Sequence, residues 1–546
     1  MPPLKPVRSL YDQSMNNVLR LLQNYLERRP SEFLHLRKLL LTTLHGAIRE
    51  QLIERAIQQF RPSSSTFLDI LVLLADSTIK QLQFTSAQSG LNSIDVFDTL
   101  NSSGVTGLHK LNLKVQIDKF ELAHMSYQFD VFTSGLYNAL HQGLASNLRI
   151  LTLHCAADNF TLALLGRHAT QLAYLDITSS WGVDDNGICD LLLKESSNFI
   201  NEHWSDLDVC KPRAVQALAM FPESQRNRTC RTLREVRIQD TNTSSISVLL
   251  LLLFGKKLKS LGGFLYSRNI GDAILTVQPC LNPPASLELS ELWDTQLPLE
   301  KLLRLAPHLP KLNTLYTRVA CLPDVPNIIP PLTNLTADFD FGSTHLNKHF
   351  IGFLQYNGSR LKRLILIDQC TSLPLSDIAK YCPVLEELVA KVSSGNPKES
   401  PQAFPYLANA KLRISSPETF MWIMRSADNI KKLEIFMEID GASESFEEHV
   451  IEQVVRENPK SLQSIHTLSL HMFFHPKSQT YIVSCGTLAI DAAYKLCNAS
   501  DSLRLLGELQ TWFTVSRDDV LRMAKDIKKN NWDVRLRYRD VLYPTS

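Results

Sequence analysis

Three histidines, His466, His471 and His475, fall within the tract HTLSLHMFFH, and a pair four residues apart could hold a metal ion on one face of a helix. This tract instead runs on from a strand-like apolar pattern, so its histidines read as structural, hydrogen-bonded side chains. Asp338-Phe339-Asp340-Phe341-Gly342 contains a kinase-like Asp-Phe-Gly triplet with none of its companion motifs. Glycine-rich phosphate loops, a GxSxG elbow and an HExxH helix are all absent from a chain with only 20 glycines, which leaves nucleotide, acyl-transfer and metalloprotease chemistry without candidate residues. The ten cysteines are scattered without a CxxC pair, as expected of reduced, buried thiols rather than a disulfide framework or zinc knuckle. The expectation is a protein with no catalytic residues, no metal and no cofactor.

Bulk properties narrow the class further. Lys and Arg number 57 against 55 Asp and Glu, so no global field gathers phosphates and nucleic acid is not an expected partner. The opening MPPLKPVRSLYDQ has no apolar core of the kind a secretion signal needs, and the longest apolar run, Val248 to Phe254, is far too short to span a bilayer. The reading is a soluble cytoplasmic or nuclear protein without membrane contact. At 546 residues the chain is either several domains or an array that grows by stacking.

A period decides between them. The pattern apolar, two residues, apolar, one residue, apolar recurs at Ile79-Leu82-Phe84, Leu108-Leu111-Leu113, Leu148-Leu151-Leu153, Leu172-Leu175-Ile177 and Leu233-Val236-Ile238. It returns at Leu361-Leu364-Leu366, Leu385-Leu388-Ala390 and Ile430-Leu433-Ile435, with weaker copies from Leu258, Leu287, Leu312, Leu332, Leu407, Leu462 and Leu503. Of the 14 intervals, 11 lie between 20 and 32 residues. The last two apolar residues of each triplet, two apart, share one side of a short strand, and the first enters the same interior from the preceding turn. Helical periodicity between triplets, as in Phe160-Leu162-Leu164-Leu165, supplies a cover for each strand.

LAYLDITSSWGVDDNGICDLL from Leu172, LRILTLHCAADNFTLALL from Leu148 and the Cys-Pro lead-in of YCPVLEELVA from Tyr381 resemble the cysteine-containing repeats of F-box-type leucine-rich proteins. That resemblance implies an α/β leucine-rich-repeat horseshoe solenoid over residues 66–546, preceded by a helical segment over 1–61. A single strand-helix unit leaves both ends of its core open, so only the stack closes it. The asparagine usual after each strand is mostly missing. A long insertion at about 190–230, carrying Trp204, reads as an elongated helix plus a loop, and NNWDVRLRYRD gives a terminal capping strand at about 531–539.

In the first segment Ser9 and Asp12 mark a helix start, after which Leu10, Ser14, Val18 and Leu22 fall four apart on one stripe of a helix reaching about Leu26. A second helical tract, SEFLHLRKLLLTTLHGAIREQLIERAIQQF, ends before a linker at Arg61 to Ser65. The segment reads either as a cap on the stack or as a docking element. The stripe resembles the elongin-C-binding box of cullin-RING ubiquitin ligase receptors, with Ser14 in the usual cysteine place, and the layout is similar to Zyg-type substrate receptors. The resemblance implies adaptor binding through Leu10, Ser14, Val18 and Leu22, to elongin B/C or a Skp-type adaptor, and through it to a cullin.

Residues between the inward apolar ones would face a protein client on the concave surface: His154, Tyr174, Asp176, Glu235 and Arg237, then Tyr316, Arg318, Arg363, Glu387, Lys391, Glu434 and Phe436. Aromatics, Arg and both charge signs are what protein interfaces use, whereas a nucleic-acid groove would be uniformly basic. The expected function is a non-enzymatic protein-binding scaffold, the substrate-recognition subunit of a cullin-RING ligase. The alternative is a structural or signalling interaction protein with no ligase link.

Overall fold

The structure is a computed structural model that describes residues 10–28, 30–60, 64–86, 93–115, 135–194, 211–261, 270–280, 287–323, 325–326, 328–339, 345–394, 403–437, 446–457, 459–472, 488–512, 514–539 and 541–543. It is mixed α/β, with parallel sheets, and divides into two compact units, Arg8–Lys311 and Leu312–Ser546.

The first unit begins with four helices, α1 (Leu10–Arg28), α2 (Phe33–Thr43), α3 (Gly46–Gln59) and α4 (Ser65–Leu74). The expected cap Ser9 lies outside the described residues, as do Arg61 to Ser63 of the expected linker; Ser64 instead caps α4 by accepting from the Phe67 amide. With Phe67, Ile70, Leu71, Leu73 and Leu74 all buried, α4 is the centre on which α1, α2 and α3 pack. Arg49 of α3, 2% exposed, locks this bundle to the chain that enters the sheet. Its guanidinium donates to the Leu44 and Leu74 carbonyls at 3.0 and 2.9 Å and to Thr78 Oγ1 at 2.6 Å, and pairs with Asp76 at 3.0 Å. A buried cation persists only when its donors are satisfied in this way. Glu50, one residue on, accepts from the Lys80 and Gln81 amides.

Gln81 opens β1 (Gln81–Ser86), followed by β2 (Lys110–Val115), β3 (Ile150–His154), β4 (Tyr174–Asp176) and β5 (Glu235–Arg237). Each pairs in parallel with the next along the chain. Residues 258–261 continue the succession without forming a full strand: the Val236 amide donates to the Ser260 carbonyl and the Ser290 amide to that of Lys259, beside β6 (Glu291–Trp293).

The second unit repeats the device. Its strands β7 (Thr314–Arg318), β8 (Asn334–Asp338), β9 (Arg363–Ile367), β10 (Leu373–Pro374), β11 (Glu387–Ser393), β12 (Asn409–Ile414), β13 (Lys432–Met437), β14 (Thr467–Met472), β15 (Leu505–Gly507) and β16 (Arg535–Tyr538) are parallel in chain order, except that β10 pairs only at the end of β11, beside the β9 pairing. Terminal β17 (Val541–Tyr543) turns back antiparallel to β16. Within the expected 531–539 lies the strand β16, and β17 pairs back on it, which alternation over 531–539 did not announce.

Every residue of the eight strong triplets is buried, which ties the sequence period to strand spacing. Two weaker copies shift register. The triplet expected from Leu287 is Leu289-Leu292-Asp294, and that from Leu462 is Ile465-Leu468-Leu470, all buried. Just past four strands the backbone turns left-handed at Cys155, Ser179, Asp240 and Asp368, with φ between 53° and 59°. Each stands seven residues after the first apolar residue of its triplet. The following position, where asparagine was expected, is Ala156 after the first of these and polar after the others, at Ser180, Thr241 and Gln369. Ser180, 1% exposed, accepts from the Ala156 and Ala157 amides and donates to the Leu153 carbonyl. Gln369 bonds both the amide and the carbonyl of Lys391, and Thr511 accepts from the Met472 amide and donates to the Leu470 carbonyl. Each thus satisfies backbone that a neighbouring turn leaves unpaired.

Of the 190–230 insertion, residues 195–210 with Trp204 lie outside the described residues, and the rest forms a helix at Pro212–Ala219 and a short one at Thr229–Thr232. The apolar run ending at Phe254 lies in the helix Ser245–Phe254, buried from Ile246 onward. Among the described residues no helix is long and apolar enough to cross a membrane.

Candidate partner-binding surfaces

The α1 stripe does not keep one exposure along its length. Ser14 is exposed, Val18 half-buried and Leu22 buried at 5%, while Leu10 is the first residue of α1 and its side chain lies outside the described residues. Helix geometry explains the trend: four residues advance about 40° beyond a full turn, so a row of four-residue steps winds about 120° around the helix from Leu10 to Leu22. Met15, Leu19 and Leu22 form the face given to the bundle. Leu21, 66% exposed, lies seven residues after Ser14 and so on the same side. The four-residue rule passed over it, and a seven-residue step would have found it.

On the first sheet, outward residues align in rungs. Gln83, Asn112, Thr152, Asp176 and Arg237 form one, and Lys110, Ile150, Tyr174 and Glu235 lie on the next. Asp176 organises the centre. It pairs with His154 at 2.9 Å, accepts from Tyr174 Oη at 3.3 Å and from Thr178 Oγ1 at 2.6 Å. Burial alone would raise its pKa, but the bonds from His154 and Thr178 prevail and hold it down to about 2. The Tyr174 hydroxyl is pushed up to about 12 by burial and by the Asp176 charge, and Arg237 stands 5.8 Å over its ring. Predicted residues His154, Tyr174, Asp176, Glu235 and Arg237 are thus brought onto adjacent rungs.

On the second sheet, Arg363 pairs with Glu387 at 2.9 Å across β9 and β11. Further along, His471 lies 3.3 Å from Glu434 and stacks on Phe436, with ring centroids 4.0 Å apart and planes 11° from parallel. The bond to His471 chiefly, helped by Lys411 against the effect of burial, holds the Glu434 carboxyl down to about 2. Lys411 reaches Glu434 at 3.4 Å and stands 4.9 Å over the Phe436 ring. Predicted Glu387 and Lys391 lie on β11 and Glu434 and Phe436 on β13, with β12 between, whereas Tyr316 and Arg318 sit on β7, and Tyr316 is only 8% exposed. Lys411 and Arg413 were not singled out from sequence, and His471 was read only as a structural histidine, although strict alternation along β12 and β14 would have placed all three outward.

The thiols of Cys155, Cys230, Cys280, Cys382 and Cys497 are all pushed up by burial, away from the reactive thiolate. Among the described residues no group of three or more His, Cys, Asp or Glu could hold a metal ion. His466 and His471 lie just before and within β14, and His475 lies outside the described residues.

No family model matches the chain. No curated protein matches it in sequence. Among solved structures it is similar to a chain of the Rad7 and Elc1 complex of yeast, at 14% identity over 89% of this chain and 100% of that one, with a TM-score of 0.44. It is also similar to an internalin, inlF, of Listeria monocytogenes, at 11% identity over 89% and 86% with a TM-score of 0.26. A leucine-rich repeat protein of Bacteroides eggerthii matches at 11% identity over 91% and 80%, with a TM-score of 0.29.

Proposed function

We propose that the chain is a leucine-rich-repeat scaffold, a horseshoe solenoid that performs no chemistry and binds a protein client on its outward strand residues. The observation that carries this reading is the register-matched ladder of each sheet. Its inward positions are apolar apart from a few such as Asp294 and Thr317, while its outward positions mix aromatic, cationic and anionic side chains such as Tyr174, Arg237, Arg363 and Phe436. Such mixtures suit protein interfaces.

Within that scaffold the N-terminal helices serve as adaptor-docking element of a cullin-RING ubiquitin ligase, and the solenoid as its substrate receptor. Support comes from the Leu10, Ser14, Val18 stripe and from the exposed apolar Leu21 beside it. The deeper end of the stripe, Leu22, serves the bundle, so docking uses the first three positions with Leu21. The assignment is tested by presenting immobilised protein with purified elongin B/C and, separately, a Skp-type adaptor. Capture of one of them, weakened at least about tenfold by Leu10→Ala with Val18→Ala, is the expected result. No capture, or capture indifferent to the double change, counts against the ligase role and leaves the scaffold reading standing.

A further inference from the structure

Positive charge gathers on the outward positions of β9 to β13. Lys391, Lys411, Arg413 and Lys432 stand there with Arg363, against two carboxylates, Glu387 and Glu434. Both carboxylates are already engaged, Glu387 by Arg363 and Glu434 by His471 and Lys411. Register puts Lys391 beside Arg413 and Arg413 beside Phe436 on one rung, with Lys411 over the Phe436 ring. On the adjoining rung Ile365 pairs with Val389, and Val389 with Lys411. Ile365 and Val389 point outward and are half-buried, so an aliphatic strip opens directly beside the cations.

We propose that this face receives an acidic segment of a partner protein, its carboxylates set on Lys391, Lys411 and Arg413 and an interleaved apolar side chain set on Ile365 and Val389. The inference names the partner class for the binding face proposed above and rests on that reading. Neighbouring strands lie about 5 Å apart, so carboxylates close together in an extended partner reach successive cations. Charge complementarity calls for an anionic occupant, and the aliphatic strip beside the cations favours a protein segment over a nucleic acid. Ile365 and Val389 offer an apolar side chain a seat but offer bases no aromatic plane to stack on.

The test uses the full chain and an array of fluorescein-labelled twelve-residue peptides, each with four Asp or Glu placed around one Leu or Phe, with the matching Lys peptides and a labelled DNA duplex beside them. Acidic peptides should bind, and binding should weaken about tenfold as salt screens the face. Lys391→Gln with Arg413→Gln should cost about tenfold or more, whereas Lys391→Arg with Arg413→Lys should stay within about threefold, at an unchanged melting temperature. Equal binding of Lys peptides, preference for DNA, failure of every acidic peptide or indifference to the glutamine pair overturns the proposal. Adaptor capture is read on the same samples. Its absence with peptide binding intact counts against the ligase assignment alone, and the reverse pattern counts against this inference alone.

Discussion

The two sheets share a backbone rule and differ in the charge they display. On the first sheet, β1 to β5, three outward cations, Lys110, Lys114 and Arg237, stand against two carboxylates, Asp176 and Glu235, an excess of one. On β9 to β13 cations outnumber carboxylates more widely, and the balance is cationic despite the local Arg363–Glu387 and Lys411–Glu434 pairs. Inward positions barely distinguish the two: Leu151 and Leu153 in one, Leu433 and Ile435 in the other, all fully buried. Selectivity can therefore vary at outward positions without disturbing the interior, because successive strand residues face opposite sides.

That separation of roles can be broken in graded steps. The largest effect is expected inside: Leu151→Ala and Leu433→Ala should each destabilise their unit by about 3 kcal/mol in denaturant titration. Similar losses would confirm that the interiors are equivalent, and a loss below about 1 kcal/mol in either would show a slack core. Arg49→Met should cost about 3 kcal/mol, since it leaves the Asp76 carboxyl with its bonds from Thr78 alone and frees the Leu44 and Leu74 carbonyls, the second of them buried. Hydrogen exchange should then quicken in α3 and α4 and stay unchanged in β9 to β13.

Acid offers a subtler probe. Asp176 and Glu434 both titrate near 2 when folded, against ordinary values of 3.8 and 4.5. A depressed folded pKa contributes stability that is complete above the unfolded value and is lost as the pH falls through the folded one. Melting temperature should thus decline between about pH 4.5 and about pH 2. Asp176→Asn should flatten that decline in the first unit and Glu434→Gln in the second; a wild-type slope in either variant would place the acid sensitivity elsewhere. The smallest effect belongs to exposed Lys432 of β13. Lys432→Ala should shift stability by less than about 0.5 kcal/mol while weakening acidic-peptide binding, and a larger stability change would give it a structural role.

The interior was legible in the sequence because aliphatic triplets announce a strand wherever all three members are apolar. It blurred where one is not: Asp294 holds the third inward place beside β6, accepting from the Gly271 and Gln296 amides, and a search for apolar residues slid the register back to Leu287. Helix α4 left little amphipathic signal because it is covered on most sides. The turn position after each strand looked degenerate since it was sought as asparagine, whereas Ser180, Gln369 and Thr511 meet the same backbone with different side chains. At the candidate docking helix, residue types were readable, but the winding that turns Leu22 inward depends on which neighbours pack there. Charge on β9 to β13 was hidden by a chain-wide balance of 57 against 55, which averages over regions that differ.

Ser180 has one more implication. Its hydroxyl belongs to one turn and serves the amides and carbonyl of the turn before it, so losing a turn would leave its neighbour with polar atoms buried and unserved. Length changes should then be tolerated inside connections, as in the 61 residues that separate Leu172 from Leu233, or as gain and loss of whole coils. Cuts that remove half a coil would propagate along the chain like a dropped stitch.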